Sequence, residues 1–155
     1  MSGFTANASR PAASPDVESG AFWPAINIEN LRSAVRLEGN VTEERLRMAV
    51  VNAVISVNDE LRQWRAAQEA AGSSSLAQVP GDEVDGQSRL VQLYRRAVYC
   101  NVAVEITERF RSYDATAQGN QRAEDLQPTI DELRRDVRYA ISDILGTRRV
   151  TVELI

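Results

Sequence analysis

The chain has no histidine and no lysine, so all 18 of its basic residues are arginine. The first absence removes the commonest general base and the commonest transition-metal ligand. The second excludes a P-loop lysine, a Schiff-base lysine and a lysine-rich nucleic-acid patch. Genome base composition would account for the arginine bias without any functional cause. The single cysteine, Cys100, excludes an internal disulfide and fits a reducing compartment. No apolar run approaches the ~20 residues that a membrane span needs. The first twenty residues lack a charged region followed by an apolar one, so they do not read as a secretory signal. The expectation is synthesis in a cytoplasm, with no membrane partner.

What is present is ordinary in amount. A chain of 155 residues is one domain's worth, and its 43% hydrophobic and 26% charged residues suit a globular core. The net charge of −4 argues against general binding of double-stranded DNA, which needs a concentrated basic face. The catalytic candidates also fall short. Asp59 and Glu60, like Glu124 and Asp125, are sequence neighbours, and on a helix they point about 100° apart. They read as solvated faces, not as an acid–base pair. Cys100 lies on an apolar face with no histidine to activate it, which is the setting of a structural thiol. There is no glycine-rich phosphate loop, no cluster of metal ligands and no Ser–His–Asp set. The chain reads as a non-enzyme with no cofactor.

Hydrophobic spacing predicts an all-α fold, a small antiparallel bundle of about four helices. Residues 1–25 hold Pro11, Pro15 and Pro24 among small polar residues and predict an extended arm. Its bulky members are Phe4, Phe22 and Trp23, which are candidates for contact with a neighbouring subunit. The bundle is expected over 26–147. A short helix over about 28–37 is followed by Thr42 as the N-cap of a long helix over about 43–70. The inner stripe of that long helix is Leu46, Val50, Ala53, Val54, Val57, Leu61 and Trp64. Residues 71–88 predict a loop that turns at Pro80-Gly81. The next helix, over about 88–113 with Ser88 as its cap, is apolar on more than one face and should be central or shared. Pro128 should open or kink the last helix, whose stripe is Ile130, Leu133, Val137, Ala140, Ile141 and Ile144. Gly146 should end it.

The final residues, 148–155, alternate Val150, Val152 and Leu154 against Thr151, Glu153 and Ile155, which predicts a two-faced strand. A strand without a sister in a helical chain points to a pairing edge on another molecule. Charge is also uneven. The connection 72–89 sets Arg89 against Asp82, Glu83 and Asp85, and 114–127 sets Arg122 against Asp114, Glu124 and Asp125, each net −2. Solubility explains this, and so would a loop lining a channel through which DNA passes without sticking. The basic clusters are Arg134, Arg135 and Arg138, interleaved with acids, and Arg95, Arg96, Arg109 and Arg111. Two alternatives to an assembly role stay open: a soluble helical module recognising a protein partner, and a binder of DNA ends through the second arginine group.

Three stretches resemble the phage head completion protein (GPL) family of contractile-tailed temperate phages. They are the FWP entry at 22–24, RFRSYDAT from Arg109, and the ending AISDILGTRRVTVELI. The resemblance extends over nearly everything after residue 20. It implies a structural virion protein at the head–tail connector, made in the host cytoplasm. Such a protein joins the portal vertex after DNA packaging, helps retain the genome and offers a platform for tail attachment. It further implies a homo-oligomeric ring matching the portal's twelve-fold symmetry. Its partners would be portal protein and tail-terminator or other neck proteins, with packaged DNA nearby but not specifically bound. In that frame Val150, Thr151, Val152, Glu153, Leu154 and Ile155 pair with the portal or an adjacent copy, and Asp82, Glu83 and Asp85 form an acidic channel loop.

Overall fold

The computed structural model describes residues 15–35, 41–111 and 117–147. Among them are five helices: α1 (Ile28–Ala34), α2 (Glu43–Glu60), α3 (Arg62–Ala70), α4 (Arg89–Arg111) and α5 (Ala117–Leu145). A 3-10 turn at Leu76–Gln78 and a two-stranded hairpin, β1 (Glu83–Val84) and β2 (Gln87–Ser88), lie between α3 and α4. The fold is therefore mostly helical, not all-α. The strand expected at 148–155 lies outside the described residues.

Helix α4 is the centre of the bundle. It packs against α2 on one side and α5 on the other. Its buried residues Leu90, Val91, Tyr94, Ala97, Val98, Val102, Ala103, Val104 and Ile106 go more than half way round it, as its sequence requires. Helix α2 gives the core Leu46, Ala49, Val50, Ala53, Val54 and Val57, and α5 gives it Ala140, Ile141 and Ile144, with Val137 packed at the margin. Ile130 is buried as well.

Caps set the element ends. Thr42 Oγ1 accepts from the N–H of Arg45 at 3.4 Å, and Glu43 and Glu44 follow in the first turn, where carboxylates favour the helix dipole. Asn27 does the same for α1, its side chain accepting from Asn30 N–H at 2.8 Å. Helix α1 is shorter than its pattern because Val35 turns extended at φ −111° and ψ 121°. Gly146 ends α5 at φ +68°, and the next N–H, of Thr147, donates to Ser142 O at 3.0 Å. That six-to-one closure needs a left-handed residue, which glycine adopts without steric cost.

Two expectations are corrected, and one alternative is decided. The single helix over 43–70 is two, because Leu61 leaves helical geometry at ψ 3°. The departure is one residue long. Leu61 N–H still donates to Val57 O and its carbonyl accepts from Arg65 N–H, so hydrophobic spacing passes through it unchanged. Of the two alternatives at Pro128, the structure has the continuous helix, which runs through it from Ala117. A proline there forfeits one backbone bond, to the carbonyl of residue 124. The loop 71–88 contains a hairpin. Asp85 and Gly86 have φ of +54° and +67°, the pair of left-handed residues that a tight two-residue turn requires.

The largest correction concerns the arm. Residues 15–27, of which 15–25 were expected to extend away, are built into the bundle. Val17 and Ile26 exchange two backbone hydrogen bonds of 2.9 Å, closing a loop that carries Phe22 and Trp23 inward. These two side chains are 2% and 4% exposed, so they are core of their own chain and not free to grip a neighbour. Phe4 lies outside the described residues.

Candidate assembly surfaces

Four features of this bundle bear on what it could touch: the docked N-terminal segment, the acidic hairpin, the end of α5 and the outer face of α2. The segment is held by an aromatic stack and a polar relay. Trp23 lies flat on Tyr94 of α4, with ring centroids 4.8 Å apart and planes 9° apart. Phe22 meets Trp23 edge-on at 4.9 Å and Trp64 of α3 at 6.4 Å, while the Arg65 guanidinium sits 5.5 Å over the Phe22 ring. Phe22 O also accepts from Leu76 N–H at 2.8 Å, tying the segment to the 3-10 turn. Below the stack, Tyr94 Oη donates to Asn58 Oδ1 at 2.9 Å, and Asn58 Nδ2 donates to Ser19 Oγ at 2.5 Å. Pro15 O accepts from Arg47 at 2.7 Å.

Burial pushes the Tyr94 hydroxyl well above the usual tyrosine range, against the smaller opposing effect of its hydrogen bonds to Asn58 and Ser19. The neutral hydroxyl is thus favoured in the folded state. The unfolded chain's tyrosine ionises from pH about 10. The folded one holds its proton to higher pH. The contribution is complete below pH about 10 and is lost as pH rises further. Tyr94→Phe is expected to lower stability by about 1–3 kcal/mol at neutral pH, because Asn58 loses its donor. It should also flatten the fall in stability above pH about 10. Urea titrations at pH 7 and above pH 10 read both; an unchanged alkaline slope in the variant would refute the linkage.

The acidic residues Asp82, Glu83 and Asp85 are exposed, on and beside the hairpin. The hairpin is braced against α4: Arg89 N–H donates to Asp82 O at 2.9 Å, Arg95 donates to Gln87 Oε1 at 2.7 Å, and Gln92 donates to Val84 O. Val84 is left pointing outward. Ser88 stands where a cap was expected, but its buried hydroxyl oxygen has no hydrogen-bond partner in the structure.

At the same end of the bundle, α5 stops. A cleft of about 410 Å³ lies between α3, the 79–82 turn, the start of α4 and the end of α5. Trp64, Val79, Pro80, Leu90 and Leu145 give it apolar wall, and Asp82, Arg89 and Asp143 give it charge. Gly146 is on its rim, so the described chain ends, at Thr147, beside this cleft. The pairing residues Val150, Thr151, Val152, Glu153, Leu154 and Ile155 themselves lie outside the described residues.

Among the described residues, several of the clustered arginines are engaged with acids instead of lying free. Arg96 pairs with Asp136 at 3.1 Å, Arg109 with Glu105 at 2.6 Å, and Arg134 with Glu108. Arg135 lies 5.9 Å over the Tyr139 ring. The side chain of Arg111 is outside the described residues. Cys100 is half-buried, and burial, with Asp136 acting in the same direction, pushes its thiol up, away from the reactive thiolate. No three acidic, histidine or cysteine side chains cluster for a metal ion among the described residues.

One surface escaped the sequence reading. Met48, Val51 and Ile55 are 55%, 39% and 55% exposed on the outside of α2. Their spacing of three and four repeats that of the buried stripe, so the signal was a second apolar row on the same helix.

Residues 17–155 match the phage head completion protein (GPL) family. The head completion/stabilization protein of Escherichia phage P2 is 39% identical over 141 residues, which are 91% of this chain and 83% of that protein. No solved structure matches.

Proposed function

The chain belongs to the phage head completion protein (GPL) family and is a structural head-completion protein of the virion, and we propose that it works as a ring of copies docked on the portal. The carrying observation is the way the bundle ends. Gly146 closes α5 at the rim of a cleft, and the sequence beyond it alternates Val150, Val152 and Leu154 with Thr151, Glu153 and Ile155. A strand leaving a finished helical core has its main-chain donors and acceptors available to a sheet edge of another molecule. Backbone bonds then give affinity, and alternate side chains give selectivity. The candidate partner for 150–155 is the portal or an adjacent copy. Copies held in a ring act together, so each contact can be weak while the ring stays attached.

In this reading the bundle is the body of the ring, the ring takes the portal's own twelve-fold order, and neck proteins add to the opposite face. The hairpin carrying Asp82, Glu83 and Asp85 would face the channel, where negative charge repels packaged DNA instead of binding it. Engagement of Arg96 and Arg109 in ion pairs weighs against recognition of DNA ends. Purified portal rings mixed with the protein and imaged test partner and symmetry together. Expected is added density at one vertex face with the portal's rotational order; portal rings that remain bare at saturating protein would refute the reading.

A further inference from the structure

The outer face of α2 has a definite shape. Met48, Val51 and Ile55 form a row bounded on both sides. On one side residues 15–19 lie along the helix, fixed by Arg47 to Pro15 O and by Asn58 to Ser19. On the other, Asn52 donates to Glu105 of α4 at 3.2 Å. Side chains of this size, about half exposed, offer on the order of 300 Å² of apolar surface, well short of the ~800 Å² per partner of a stable dimer. Such a patch suits a short peptide segment, or a contact that counts only when many copies are held together.

The segment 1–14 fits that description. Its bulky side chain is Phe4, and its one charged side chain is Arg10. Glu44 is exposed on the same face of α2 as the apolar row, one turn before Met48. Ile55 lies eleven residues beyond Glu44, about 16 Å along the helix. Phe4 precedes Arg10 by six residues, which reach about 20 Å when extended. With Arg10 on Glu44, the ring of Phe4 arrives at Val51 and Ile55.

The direction of the chain decides whose segment it is. Residues 15 to 19 run alongside α2 from Arg47 to Asn58, in the same sense as the helix. The described chain therefore begins, at Pro15, beside Arg47 near the N-terminal end of α2, and runs from there in the same direction as the apolar row. Covering that row from within the same chain would need a full reversal. A neighbouring copy has no such constraint.

We propose that the row Met48, Val51 and Ile55, with Glu44 at its head, is the seat for residues 4–10 of the adjacent copy. The proposal rests on the ring reading above and names the subunit contact within it. The contact is head-to-tail: each copy gives one segment and receives one, which closes a ring when the rotation closes.

The test uses the full chain with Cys100→Ala, as two populations, one Phe4→Cys and the other Ile55→Cys. They are mixed on portal rings and treated with a short bifunctional maleimide. Expected is a covalent dimer containing one chain of each kind, absent when Ser56→Cys, one position round the helix, replaces Ile55→Cys. Phe4→Ala should raise the concentration for half-occupancy of the portal about tenfold, the loss of roughly one buried aromatic contact. A cross-link inside single chains that carry both cysteines, at dilution, would overturn the proposal in favour of the chain's own segment. Rings that form without any Phe4–Ile55 link would overturn it too. Should the protein not bind portal at all, the ring reading fails, and the same mixture cross-linked at high concentration without portal still decides whether the seat exists.

Discussion

Trp23→Ala is expected to lower the unfolding free energy by about 3–5 kcal/mol, a large share of the ~5–15 kcal/mol typical of a domain. The ring is 4% exposed and stacks on Tyr94 while Phe22 meets its edge. Removing it empties the space between the N-terminal segment and α4 and loosens the Val17–Ile26 closure that holds the segment down. Urea unfolding followed by far-ultraviolet circular dichroism measures the loss. The comparison with truncations is sharper. Deleting residues 1–14 should leave the midpoint nearly unchanged, whereas deleting 1–27 should abolish cooperative unfolding. Equal stability of the two truncations would refute the assignment of 15–27 to the core.

Deleting 148–155 is expected to have the opposite profile: an unchanged helical signal and unfolding midpoint, and no head completion. The last described helix closes at Gly146 and Thr147, where Thr147 N–H reaches Ser142 O, which is the ground for expecting an unchanged core. Assembly in the ring reading does depend on residues 148–155. Complementation of a phage lacking the protein should drop to background, and portal binding with it. Proline at 151 or 153 separates backbone pairing from bulk, since it removes a main-chain donor while leaving Val150, Val152 and Leu154 in place. Full complementation by the truncation would sink the strand's role outright.

These two effects divide the molecule where the sequence divided it least well. An arm ending at residue 25 is a compositional boundary, drawn by Pro11, Pro15 and Pro24. Composition says that such a segment cannot fold alone; it does not say that a groove awaits it. The groove is made by Tyr94, Trp64 and Leu76, from three different elements, and no local pattern announces that they converge. The hairpin was legible and missed. Asp85-Gly86 between short flanks is the strongest short-range turn signal, and it was submerged in a longer polar stretch. The row at Met48, Val51 and Ile55 was legible as spacing, but spacing alone does not tell which of two apolar rows on one helix meets the core.

By itself the sequence determined that α2, α4 and α5 are helices, because a 3.6-residue period is a local property of each segment. It determined the start of α2 at Thr42 and the stop of α5 at Gly146, because capping and left-handed backbone depend on a few adjacent atoms. It excluded histidine and lysine chemistry by composition. Only the tertiary structure decided that Phe22 and Trp23 are core, that α4 lies between α2 and α5, and that Arg96, Arg109 and Arg134 are engaged with acids. Those are facts about which surfaces meet, and contact between distant segments is settled by shape and desolvation across the whole bundle.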